Sequence, residues 1–186
     1  SLQGKEQLAA TILTSGLNSK SPICEHALKH GDGVKVLALT VDDAYDAFEQ
    51  TTKRGGKSYL EPTTIKDEHG EVRMSGVYTY GEVAHVFIER KNYKGVFMPG
   101  YEASTTTYKP TDLGLLYVDH CVGNVGWNRM NDCVKWYEDV MGFVNILSFD
   151  DKQFEQLKLD TLENEKLLES NPTRDVFLSW GIGGMV

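Results

Sequence analysis

The chain has 186 residues, 40% apolar and 25% charged, with 19 Lys and Arg against 27 Asp and Glu for a net charge of -8. That length allows one domain or two small ones, and the balance is that of an ordinary globular protein, which excludes disorder along the whole length. An acidic chain without a basic cluster is a poor partner for a nucleic-acid backbone, and no apolar run approaches the roughly 18 residues of a membrane span. No charged n-region followed by an apolar stretch marks a signal peptide. The first residue is Ser, so the chain is expected to begin after processing or to be a fragment. Three cysteines, Cys24, Cys121 and Cys133, without CxxC spacing, argue against a disulfide framework or a structural zinc site and favour a reducing cytoplasm.

Residues 8–15 are β-branched and apolar and predict a strand, and 16–32 read as a loop with a helical turn near 25–28. Residues 34–41 predict a strong strand. Asp42 follows as a candidate N-cap, and Ala44, Ala47, Phe48 and Thr51 line one face of a helix that Gly55 and Gly56 end. Residues 57–62 predict a short strand closed by Pro62, while 63–67 and 71–80 flank the hairpin signal Glu68-His69-Gly70. Residues 83–90 predict another strand, so the order from 34 to 90 is β-α-β-β-β. Two prolines and a Ser/Thr run make 96–112 a linker. A strand is expected over 113–122. An amphipathic helix through Met130, Cys133, Val134, Tyr137, Val140 and Met141 is expected to be capped by Asn128 or Asn131 and ended by Gly142. A strand over 143–149 follows. Residues 154–170 favour helix by propensity without one clean apolar face. The β-α-β order thus starts twice, about 80 residues apart, which suggests tandem modules.

The histidines carry the candidate chemistry. His26 and His30 are four residues apart and would share a helix face, but no HExxH grammar surrounds them, and a solvated or loop pair is the expected reading. His69 is expected at a hairpin tip. His85 shares a strand face with Phe87 and Glu89, where a hydrogen-bonded sheet histidine is favoured over a ligand. His120 alternates with Leu116, Val118 and Val122 on an apolar face, where burial without a partner would cost about 1–3 kcal/mol. A hydrogen bond and a metal remain alternatives on those grounds.

The motif Asp119-His120-Cys121-Val122-Gly123-Asn124-Val125 resembles the 4-hydroxyphenylpyruvate dioxygenase family, together with residues 136–143 and 149–153. So do His30-Gly31-Asp32-Gly33-Val34-Lys35, Glu61-Pro62, Asp67-Glu68-His69-Gly70, Tyr78-Thr79-Tyr80-Gly81, Phe87-Ile88-Glu89-Arg90 and Tyr93-Lys94-Gly95, in order. The resemblance implies an α+β fold of tandem βαβββ modules of the vicinal-oxygen-chelate type. One module is complete, at 34–90, and two are partial. Residues 1–95 would hold the end of module one and all of module two in a domain without metal. Residues 96–112 would be the linker, 113–153 the start of the catalytic domain, and 154–186 an unassigned tail. The implied reaction is oxidative decarboxylation and hydroxylation of 4-hydroxyphenylpyruvate to homogentisate with O2. The implied cofactor is Fe(II) held by two histidines and a carboxylate. His120 matches the first histidine ligand and Val122 a residue lining the substrate pocket, and Asn124 is given a loop-shaping role.

The sequence departs from the family after Gln153. The strand motif bearing the second histidine is absent, no histidine follows His120, and the carboxylate ligand is missing. The chain is therefore expected to be about half of a family member, with weak or absent iron binding and no turnover alone. Strand edges at 8–15 and 143–149 would favour homo-oligomers. A hydroxymandelate synthase-type relative and a non-catalytic βαβββ binding module are the alternatives.

Overall fold

The computed structural model describes residues 10–107, 118 and 120–145. The chain divides into two compact units, Ser1–Val122 and Gly123–Val186. The first unit carries, in order, α1 (Pro22–His30), β1 (Val36–Thr40), α2 (Ala44–Lys53), β2 (Lys57–Asp67), β3 (Gly70–Tyr78) and β4 (Ala84–Glu89). The strands form one sheet in the order β1-β4-β3-β2. β1 runs parallel to β4, from Val36 opposite Ala84 to Thr40 opposite Ile88, and the other two pairings are antiparallel. The expected α+β class and the βαβββ order of residues 34–90 are both observed.

α2 starts one residue later than the sequence pattern suggested. Asp43, not Asp42, is the cap: its backbone is extended and its carboxylate accepts the amides of Tyr45 at 2.8 Å and Asp46 at 2.9 Å. Those two bonds hold the Asp43 carboxyl below the usual carboxylate range. Asp42 instead presents its carbonyl to Lys91 Nζ at 3.0 Å. At the other end Gly55, at φ 98°, takes the chain out of the helix as expected.

β2 does not stop at Pro62. It continues to Asp67 through two register shifts, between Ser58 and Leu60 and between Leu60 and Thr63. Pro62 lies inside the second shift, on a strand with a sheet neighbour on one side only, where a missing amide breaks no ladder bond. The hairpin falls at 67–70 as predicted, with the His69 amide on Asp67 Oδ1 at 2.8 Å. Gly70 sits at φ 127° and a Cβ there would run into the carbonyl oxygen of Asn92, so both backbone and space require glycine.

Side chains from β3 and β4 alternate, and one face of the sheet carries α2. Ala44 is fully buried there, as are Val77 and Ser75, with Phe87 nearly so. Ser75 Oγ donates to Ala44 O at 2.6 Å, and the Ala44 amide donates to Glu89 Oε2 at 3.3 Å. Glu89 is 4% exposed and its charge is met by Arg73 Nη1 at 3.2 Å and Lys91 Nζ at 3.4 Å. The Arg73 guanidinium stacks 4.1 Å over the Tyr45 ring on α2. His85 is buried as well, with Nδ1–H donating to Leu37 O at 3.1 Å. The sheet-histidine reading holds for it, and burial pushes its imidazole below the ordinary value of 6.5.

Three expectations change elsewhere in the chain. Residues 10–15 form no strand, and residues 8–9 lie outside the described part. The helical turn expected near 25–28 is the middle of a longer helix, α1, capped by Ser21 and entered through Pro22. Of the strand expected over 113–122, residues 118 and 120–122 are described and carry no regular structure. The remainder of that strand, 146–149 of the next one and the helix at 154–170 lie outside the described residues.

The second unit contains α3 (Met130–Trp136), continued by a π-helical turn at Tyr137–Met141. Its N-cap is Arg129, without a side-chain cap bond, because Asn128 sits at φ 58° and belongs to the preceding turn. Gly142 ends the helix in the left-handed conformation as predicted, with the Phe143 amide returning to Tyr137 O at 3.0 Å. Val140 is buried, and Cys133, Val134, Tyr137 and Met141 are half-buried beside it, while Met130 is exposed.

Val77→Ala is expected to lower the unfolding free energy by about 1–3 kcal/mol through lost packing. Glu89→Ala is expected to lower it by about 2 kcal/mol, since it strips an acceptor from a buried amide. Urea unfolding followed by circular dichroism checks both. His85 adds a pH dependence of known sign. Its folded pKa is depressed, so its contribution is complete above pH 6.5 and is lost as pH falls below that value. The urea midpoint of a His85→Leu variant should fall less steeply than that of the wild type over that interval.

Candidate functional site

His120 and Val122 stand in an irregular segment of the first unit, both exposed, Val122 by 48%. The apolar strand face anticipated around His120 is not observed at the described positions. Asp119 lies outside them. Asn124 follows in the second unit, also without regular structure and exposed. The family resemblance implies iron at His120, and the described residues bring no second imidazole and no carboxylate into a metal-binding group with it. Among the described residues, His120 therefore belongs to no set of two histidines and one carboxylate.

His69 is at the hairpin tip as expected, exposed and 3.7 Å from Glu68. His85 and Glu89 face the same side of β4, but each is committed to the core contacts described above, which leaves neither free to ligate.

The histidine pair set aside on sequence grounds is where donors converge. His26 and His30 lie on α1, whose nine residues put both rings on one side, with centroids 4.5 Å apart. Glu82 projects toward them from the tight turn between β3 and β4. That turn is closed by the Val83 amide on Tyr80 O at 3.1 Å and by Gly81 at φ 57°. Lys35 Nζ holds the Glu82 carbonyl at 2.5 Å, and the Ala84 amide donates to Lys35 O at 3.1 Å, so the lead into β1 anchors the turn. His30 Nε2 donates to Glu82 Oε2 at 2.9 Å. His26 Nδ1 lies 3.6 Å from the same oxygen, beyond hydrogen-bond reach. Lys29 pairs with the other carboxylate oxygen, Oε1. Hydrogen bonds from Lys29 and His30 hold the Glu82 carboxyl down at about 2, so it is ionised throughout the neutral range.

Among the described residues, His26, His30 and Glu82 are the group of three ligand-type side chains whose donor atoms come within 4.8 Å of one another. Sequence reading had the histidine spacing but not the third member. Glu82 is 52 residues from His30, and nothing local announces that the β3–β4 turn folds beneath α1.

No family model matches the sequence. Among curated proteins, the chain is 36% identical over 169 residues to a 4-hydroxyphenylpyruvate dioxygenase of Yarrowia lipolytica, covering 85% of this chain and 43% of that one. It is 42% identical over 153 residues to the 4-hydroxyphenylpyruvate dioxygenase of Tetrahymena thermophila, covering 80% and 38%. With that of Aspergillus fumigatus it is 41% identical over 133 residues, covering 69% and 33%. Among solved structures, a mutant of 4-hydroxymandelate synthase from Streptomyces coelicolor shares the fold. Its TM-score is 0.54 at 18% identity, over 72% of this chain and 38% of the other. The chain spans less than half the length of the curated relatives it matches. Over most of its own length, it is similar to 4-hydroxyphenylpyruvate dioxygenases.

Proposed function

We propose that these residues serve in a 4-hydroxyphenylpyruvate dioxygenase. The whole protein would convert 4-hydroxyphenylpyruvate and O2 to homogentisate and CO2, a balance in which both oxygen atoms enter the organic product and the carboxylate leaves. The observation that carries this reading is the in-order sequence match to several proteins of that name at 36–42% identity. Those names favour the dioxygenase over the synthase, because the synthase is a match of fold alone.

Within that protein, residues 1–95 form a non-metal domain around the complete module, 96–112 a linker, and 113–153 the opening of a catalytic domain. His120 supplies one imidazole to an Fe(II) centre and Val122 borders the substrate. Among the described residues no group of three ligand-type side chains includes His120, so the chain by itself is assigned no catalytic step. Two of the sheet's strands, β1 and β2, each have a neighbour on one side only, which supports self-association. No helix of the described residues is long and apolar enough to cross a membrane. We place the protein in the cytoplasm, in keeping with three unpaired cysteines among the described residues.

A chimera tests the assignment. The matching segment of the Tetrahymena thermophila dioxygenase is replaced by this chain's own, and homogentisate formation is measured. Turnover is expected to persist within about tenfold of the parent, and His120→Ala in the chimera should reduce it at least about 100-fold, as loss of a metal ligand does. A folded chimera that makes no homogentisate, or one indifferent to His120→Ala, would contradict the assignment.

A further inference from the structure

We propose that His26, His30 and Glu82 form a binding site for one first-row divalent metal ion of the zinc type. Two imidazoles and a carboxylate are the donor set of open zinc sites, in which water completes the coordination. The geometry is close to what such an ion needs. Donors around a tetrahedral zinc with bonds of about 2.0–2.1 Å lie about 3.4 Å apart. Glu82 Oε2 is 2.9 Å from His30 Nε2 and 3.6 Å from His26 Nδ1, and all three residues offer donors within 4.8 Å. His26 Nδ1 is the telling atom. It is buried from solvent, makes no hydrogen bond, and lies near Glu82 Oε2. A buried polar atom without a hydrogen bond costs free energy, and a metal ion placed between these groups would satisfy it.

The scaffold holds the donors in place without the ion. α1 is closed at both ends, by Ser21 Oγ on the Ile23 amide at 3.2 Å and by the Gly31 amide on Ala27 O at 2.8 Å. The turn bearing Glu82 is bonded to the lead into β1 through Lys35. Lys29 occupies Oε1 and leaves Oε2 to the imidazoles, so it competes with the ion by charge while leaving the chelating edge open. The side chains of His30 and Glu82 are about two-fifths exposed, which gives the ion a path in. A mixed nitrogen and oxygen set selects zinc, cobalt, nickel or copper over magnesium and calcium, which demand more oxygen donors. A bound ion would tie α1 to the β3–β4 turn and stabilise the module by mass action. This inference concerns residues remote in sequence from His120 and does not rest on the dioxygenase assignment.

Calorimetric titration of the 186-residue chain with zinc chloride alone, followed by thermal unfolding with and without zinc, tests it. One equivalent is expected to bind with a raised midpoint, and magnesium chloride should produce neither effect. His26→Ala, His30→Ala and Glu82→Gln should each weaken binding at least about 100-fold, since losing even a residue that orients a ligand costs about 10–100-fold. Lys29→Ala should tighten it, a gain that a purely structural role for the cluster does not produce. His120→Ala should leave the affinity unchanged. Absence of zinc binding by the wild type, binding indifferent to the three ligand variants, or binding lost in His120→Ala would overturn the proposal.

Discussion

Ala44 is held by both of its backbone groups. Its carbonyl accepts from Ser75 on β3 and its amide donates to Glu89 on β4, so the first residue of α2 is bonded to two adjacent strands at once. Glu89 can be buried there because Arg73 and Lys91 meet its charge, and Arg73 is itself stacked on Tyr45 one residue into the helix. This clamp lays α2 across the sheet, and a parallel strand pair needs such a crossover. The pairing of β1 with β4 follows from it, and with that pairing come the bonds from Lys35 to the turn at Glu82. The arrangement of donors under α1 thus rests on a contact at the opposite end of β4.

What was legible in the sequence is what short-range physics determines. The strand at 36–40, the helix at 44–53, the Gly70 hairpin and the Gly142 stop each carry a local signal: β-branched alternation, a carboxylate cap, or a glycine where φ must be positive. The errors have equally local causes. Asp42 and Asp43 both suit a cap, and the backbone settles which one reaches the free amides. Pro62 reads as a strand end unless the strand is known to lie at the edge of the sheet, which is a property of topology. The sequence pattern shows only a helical turn near 25–28 where α1 runs from Pro22 to His30, because Gly, Asn, Ser and Pro precede it, yet Ser21 and Pro22 are helix-starting residues once the histidines behind them are placed on a helix.

The two histidine motifs invert their apparent importance. His120 draws attention through the long motif around it, which resembles the dioxygenase family, but among the described residues it belongs to no group of three ligand-type side chains. His26 and His30 have no recognisable grammar, but the fold delivers a carboxylate to them from 52 residues away. Motif and geometry answer different questions. The motif speaks for the likeness to proteins more than twice this length, and the geometry speaks for what these residues can hold by themselves.

The proposal to be tested is that His120 serves an iron centre of the whole dioxygenase while the 186-residue chain alone does not turn over. Oxygen consumption tests it most directly, with the purified 186-residue chain loaded with Fe(II) under argon and then mixed with aerated 4-hydroxyphenylpyruvate. His120→Ala is run in parallel. The account predicts uptake no faster than free Fe(II) produces, identical in both proteins and without homogentisate. Substrate-dependent uptake with matching homogentisate, abolished in His120→Ala, would contradict it.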